Sequence, residues 1–230
     1  MSTYIETFDS GPAGWFGWHD NARGPRPLEW QPGYVVSRSP WWIDYNHAPP
    51  GAGYMHLLFL LLTRGRAGEH HREVAGENRF IQGGFGTNFA GADLTFRLKG
   101  ELHAAGTRLH LLVQGIHDDI CTGWILTGQS LEVTPDWSEQ TLTAVTDPAA
   151  WTCLGSRHDR GDFYGHAPLE TVLRDVNANI LLVLFPLDVQ PMGPLSGDPH
   201  RLRPEKDYPV WRGRLPEGYV VLDEVRIRFE

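Results

Sequence analysis

The sequence predicts an all-β fold, an antiparallel β-sandwich with long loops and at most one or two short helices, and three observations predict it. The first is composition. The 230 residues include 26 Gly and 17 Pro, and 11% are aromatic, a balance that suits many short strands joined by tight turns rather than helices rich in Ala, Lys and Glu. The second is alternation of period two: Leu94, Phe96 and Leu98 oppose Thr95, Arg97 and Lys99, while Leu109, Leu111 and Val113 oppose His110, Leu112 and Gln114. The third is the pair of chain ends. Tyr4-Ile-Glu-Thr-Phe-Asp-Ser-Gly and Tyr219-Val-Val-Leu-Asp-Glu-Val-Arg-Ile-Arg-Phe-Glu are both short β-rich runs with a central carboxylate, and the first and last strands of a closed sandwich are commonly neighbours. A chain of this length buries one full core, so a single domain over residues 1–230 is expected.

In chain order, residues 1–53 carry Pro25, Pro27, Pro32, Pro40, Pro49 and Pro50, which leave only short extended pieces around Leu28-Glu-Trp and Tyr34-Val-Val-Ser. The run from Gly53 to Thr63 is apolar on both alternations. It suits a central strand covered on both sides, or one packed on a partner chain. Residues 64–79 are polar without alternation and read as an exposed excursion. The two alternating runs around Leu94 and Leu109 are expected to pair, with Gly100 to Gly106 as the turn. Trp124 to Thr127 and Ser130 to Val145 continue the strand rhythm. Leu169, Val172, Leu173 and Val176 form a helical stripe. Asn179 to Phe185 reads as a buried strand ended by Pro186, and residues 190–217 as a long loop.

A net charge of -8 with no basic block argues against nucleic acid, whose phosphates need clustered Lys and Arg. Neutral ligands are favoured. Met55 to Leu62 is too short to span a bilayer. No charged segment precedes an apolar one at the N-terminus, so no signal peptide is read, and the expectation is a cytoplasmic protein with Cys121 and Cys153 reduced. A disulfide between them stays open if the chain is exported.

The opening Phe8-Asp9-Ser10-Gly11 with Trp15, then Leu131-Glu-Val-Thr-Pro-Asp-Trp-Ser-Glu-Gln-Thr-Leu-Thr, and then the closing Tyr219-Val-Val-Leu-Asp-Glu-Val-Arg-Ile occur in that order. Together they resemble jelly-roll carbohydrate-binding modules of the galactose-binding-like type, including the complex I intermediate-associated group. Trp41-Trp42 before Gly51-Ala-Gly-Tyr-Met-His-Leu is similar to laminin domain IV sandwiches. The resemblance spans most of the strand framework but not residues 64–79 or 190–217. It implies a jelly roll with Trp137 plugging the core. It also implies a structural calcium held by Asp9 and Asp223, with Glu6 or Glu224 nearby and turn carbonyls from Ser10 and Gly11 completing an oxygen shell. This chain has Asp where such modules usually have Glu, and the alternative is that Asp9 caps a turn and Asp223 faces solvent.

Sugar recognition needs flat apolar surfaces for C–H faces and forked polar groups for hydroxyls. Arg97, His110 and Gln114, on the same outward alternation, with Trp124 and Gln129 following, supply such a set. Trp42, in an aromatic stretch with Trp41, Tyr45 and His47, would form a wall. An ordinary solvated strand face is the plainer alternative. For catalysis, His56 and His110 are the candidate acid/base groups, and His47 and His158-Asp159 near Tyr164 and His166 are further imidazoles. The chain has no His-Glu-x-x-His and no Gly-x-Ser-x-Gly. Gln114-Gly-Ile-His117 is one residue too long for the Gln-x-His strand of alginate lyases, and His70-His71 reads as solvated. Three readings follow. One is a glycan-binding sandwich with a structural calcium; a second is an intracellular hydrolase, lyase or isomerase acting on a sugar-like metabolite; a third is an assembly domain, a homodimer built on Met55 to Leu62.

Overall fold

The computed structural model describes residues 2–20, 23–44, 54–64, 71–155, 163–187, 189–191, 210–212 and 215–230. Two antiparallel sheets face each other. A six-stranded sheet runs in the order β11 (Ser138–Thr143), β8 (Asp93–His103), β16 (Glu217–Arg228), β5 (Tyr34–Arg38) and β4 (Glu29–Gln31), with β1 (Thr3–Glu6) also on β16. An eight-stranded sheet runs β12 (Thr152–Cys153), β10 (Ile120–Ile125), β9 (Arg108–His117), β13 (Asn179–Leu187), β7 (Tyr54–Leu62), β2 (Trp15–Asp20) and β3 (Gly24–Arg26), with β6 (Ile43–Asp44) also on β7. β14 (Val189–Pro191) and β15 (Val210–Arg212) pair within the stretch expected to be a long loop.

The expected meeting of the two ends is observed: β1 and β16 pair from Thr3↔Arg228 to Glu6↔Val225. Along β16 the neighbour on that side changes from β5 to β1, and the register against β8 shifts between Leu222 and Glu224. Asp223 is the extra residue of this bulge, and its Oδ2 pairs with Arg97 Nη1.

The faces of β8 and β9 are as the alternation predicts, but their partners are not. β8 pairs with β11 and β16, whereas β9 pairs with β10 and β13, so the Gly100 to Gly106 connection crosses between sheets. Alternation reports a strand's faces and leaves its neighbour open. Gly100 fits against β16 so closely that any Cβ there would run into the Tyr219 carbonyl.

Between the sheets lie Tyr4, Leu94, Phe96, Leu98, Leu222, Val225 and Ile227 from one side and Trp15, Leu58, Leu111, Val113, Ile180 and Leu182 from the other. The helical stripe is confirmed in α3 (Leu169–Arg174), whose Leu169, Val172 and Leu173 close one end of this core; Val176 follows, also buried. Of the supposed excursion at residues 64–79, residues 65–70 lie outside the described residues and 71–79 are only partly exposed. Residues 71–79 form α1 (Arg72–Ala75) and lead into α2 (Arg79–Gln82). Asn78 caps α2 by accepting the Ile81 N–H at 2.9 Å, and its Nδ2 donates to the Leu62 carbonyl at 2.8 Å. Gly14, at φ 94°, packs so closely here that a Cβ would lie 2.7 Å from Asn78 Cα.

Trp137 is not a core plug. It is half-buried on the outer face of the six-stranded sheet, with Arg97 Cζ 4.9 Å and Lys99 Nζ 4.6 Å from its ring centroid. Parity explains this: Ser138 pairs with the inward-facing Leu98, so the residue before it must face out. β7 needs no partner chain to cover its second apolar alternation. Its inner residues enter the sandwich core, while Met55, Leu57 and Leu60 join Phe16, Leu112, Leu181 and Val183 in a second cluster on the sheet's outer face.

Candidate functional site

That second cluster is the floor of a cavity of about 170 Å³. Strand register builds it row by row. Phe16 of β2 pairs with Leu60, Leu60 with Leu181 of β13, and Leu181 with Leu112 of β9, which gives an apolar row across the sheet. The neighbouring row on the same face is Leu62, Asn179 and Gln114, ending at Gly123 of β10. Two primary amides thus stand side by side next to a position with no side chain. Beyond the apolar row, Trp18 and Trp42 form a wall, with ring centroids 6.4 Å apart. His71 leans on Phe16 at 5.0 Å and meets the Trp18 ring edge-on at 6.4 Å. Tyr164 completes the lining, brought there by its parallel bridge to Cys121.

Among the described residues, two buried polar atoms of this lining, Asn179 Oδ1 and Trp18 Nε1, have no hydrogen-bond partner. A buried unpaired polar group costs roughly 1–3 kcal/mol, so a donor for Asn179 and an acceptor for Trp18 would be stabilising there. Among the described lining residues there is no Asp, Glu, Lys or Arg, so the wall is built of apolar, aromatic and amide side chains with the His71 imidazole.

Of the residues singled out from sequence, the structure brings Gln114 and Trp42 together in this cavity. The others go elsewhere. Arg97 is on the outer face of the opposite sheet, engaged with Asp223 and Trp137. Trp124 pairs with the inward Val113, packs on the sandwich core and donates its indole N–H to the Ala167 carbonyl at 3.1 Å. Gln129 is spent on the end of β11, donating to the Thr143 carbonyl at 2.8 Å and accepting the Thr143 N–H at 3.0 Å.

His110 shares the outer face with Gln114 but is buried under the loop after β10. Its Nδ1 faces the Leu126 and Gln129 carbonyls at 3.1 and 2.6 Å and must therefore carry the proton. Burial holds its pKa below the ordinary value. His56 points the other way, beneath Trp41, with Nδ1 3.1 Å from the Trp42 carbonyl and Nε2 buried without a partner. Burial pushes its pKa down to about 4. Neither imidazole lines the cavity with Gln114. His47, Tyr45, His158 and Asp159 lie outside the described residues. Cys121 and Cys153 are not joined by a disulfide, and Cys153 Sγ lies 3.5 Å from His166 Nδ1.

For calcium, the donors can be placed one by one. Asp9 is exposed and accepts the Thr7 hydroxyl at 2.6 Å. Asp223 already has the Arg97 guanidinium as its counter-ion. Glu6 is fully buried, where its Oε1 accepts the Phe8 N–H at 2.8 Å and Arg79 Nη1 at 2.9 Å. Among the described residues no group of three or more His, Cys, Asp or Glu is placed to hold a metal ion.

Sequence reasoning missed Asn179, read His71 as solvated, named Tyr164 only beside His158-Asp159 and His166, and did not separate Trp18 from the other tryptophans. Asn179 had a signal, as the one polar residue opening an otherwise apolar strand through Leu187. Its cross-strand pairing with Gln114 had none.

No family model matches the chain, and no curated protein matches it. A solved structure described in connection with endo-acting O-glycanases, which prominent members of the human gut microbiota express to initiate mucin breakdown, is 10% identical over 97% of each chain, with a TM-score of 0.37. That likeness is too distant to carry an argument about this site.

Proposed function

We propose that this protein binds an uncharged saccharide in the cavity on the outer face of its eight-stranded sheet. The observation that supports this reading is that one cavity of about 170 Å³ is lined by the Asn179 and Gln114 amides on one side of an apolar row and by the Trp18 and Trp42 indoles on the other. A cavity of about 150 Å³ accommodates one six-membered carbon ring, so the space suits a single pyranose. Indole faces take its C–H surface, and adjacent carboxamides, each both donor and acceptor, take neighbouring hydroxyls. The ordered resemblance to jelly-roll carbohydrate-binding modules leans the same way.

The test is saturation-transfer NMR and calorimetry with a panel of neutral monosaccharides, on wild type and on Trp18→Ala and Asn179→Ala. Each variant is expected to bind about tenfold more weakly. Absence of any sugar binding, or variants that bind as wild type does, would refute the reading.

A second reading, an enzyme acting on the bound sugar, draws on His71 and Tyr164. Both are proton-transfer groups on the cavity wall, which neither His56 nor His110 reaches. It predicts that His71→Gln retains sugar binding and loses turnover. Turnover at the wild-type rate would remove it.

A further inference from the structure

We propose that the cavity selects a ring bearing a methyl terminus, an N-acetylated or 6-deoxy sugar, over a fully hydroxylated hexose; this rests on the saccharide reading above. The argument is in the order of the rows. The amides of Asn179 and Gln114 occupy one row, and the next is wholly apolar: Phe16, Leu60, Leu181 and Leu112. Successive rows on one sheet face are two residues apart, about 7 Å along the strand. A pyranose whose polar edge sits on the amides therefore lays its next substituent over the leucines.

A hydroxyl set down over Leu60, Leu181 and Leu112 loses water and meets no donor or acceptor of those side chains, whereas a methyl group fills the same space and gains from leaving water. Asn179 Oδ1 adds a second constraint. It is a buried acceptor without a donor among the described residues, so a ligand that brings an N–H or O–H to it gains a hydrogen bond. An acetamido group does both at once, its N–H toward Asn179 and its methyl toward Leu181. A 6-deoxy sugar does so with a ring hydroxyl and its terminal methyl.

The test is calorimetry on the intact protein with N-acetylglucosamine, N-acetylgalactosamine, fucose and rhamnose against glucose, galactose and mannose. At least one methyl-bearing sugar is expected to bind about tenfold to a hundredfold tighter than its hydroxylated parent. If the N-acetyl arm wins, the donor to Asn179 is an amide N–H; if the 6-deoxy arm wins, it is a hydroxyl. Leu181→Ser should shrink the preference toward unity. Should that variant fail to fold, the wild-type ratios decide alone. Parent hexoses binding as tightly as their methyl-bearing counterparts would overturn this inference and leave the saccharide reading standing, while no binding by any member of the panel would overturn both.

Discussion

Lowering the pH from 7 to 5 should weaken the fold through His56. The imidazole is 1% exposed, lies 6.1 Å from the Trp41 ring, and faces a cavity of about 500 Å³ whose described lining includes one carboxylate, Glu217. Burial lowers its pKa from 6.5 to about 4, opposed only in part by the hydrogen bond to the Trp42 carbonyl. The unfolded chain thus takes up a proton in a range where the folded chain refuses it. Stability is complete above the unfolded value of 6.5 and is lost as pH falls toward 4. At pH 5 the loss works out at about 2 kcal/mol, or roughly 4–8 °C in melting temperature for a domain of this size. Urea unfolding at pH 7, 6 and 5 measures it, with His56→Asn as the reference. Asn keeps an N–H toward the Trp42 carbonyl but does not titrate. His110 is shifted in the same direction, and the difference between the two proteins cancels its share. If wild type and His56→Asn lose stability in parallel between pH 7 and 5, His56 is not held neutral by its site and the reasoning fails.

Gly14→Ala should cost at least about 1–3 kcal/mol, because it puts a Cβ at positive φ and against the Asn78 backbone; a wild-type urea midpoint would contradict that packing. Trp137→Ala should cost only about 1 kcal/mol, since it removes two surface cation–π contacts and leaves the core intact, and the same titration reads it. Because Arg97 is already paired with Asp223, a chelator should leave the melting curve unchanged; a melting temperature lowered in wild type but not in Asp9→Asn would instead mean that a cation does bind there.

Local chemistry was readable in the sequence where it depends on neighbours in the chain. The inward sides of β8 and β9, the stripe of α3 and the pairing of the ends were all visible in this way. What depended on which strand lies beside which was not. Arg97 and His110 share an outward alternation, yet they sit on opposite sheets because β8 prefers β16 over its neighbour in sequence. Trp137 was misplaced for a related reason, as one residue of parity decides between core and surface. Gln114 and Trp42 were found because an amide on an outward strand face and an indole in a Pro-rich loop are both conspicuous. Asn179 becomes a site residue only through the register that sets it opposite Gln114. Trp18 does so only because β2 lies along β7, with Phe16 beside Leu60.

The pairing of β1 with β16 has a mechanical consequence. Thr3 sits opposite Arg228, and the Phe229 N–H reaches the Ser2 carbonyl at 3.1 Å, so tension applied through Ser2 and Phe229 acts on two adjacent strand ends. Such a load peels the hydrogen-bonded pairs apart one after another, where a shearing load would have to break them together. The first strand should therefore come away at low force. Its departure uncovers the buried side chains of Tyr4 and Glu6 and opens that edge of the sheet while β5 still grips the other half of β16 and β8 its whole length.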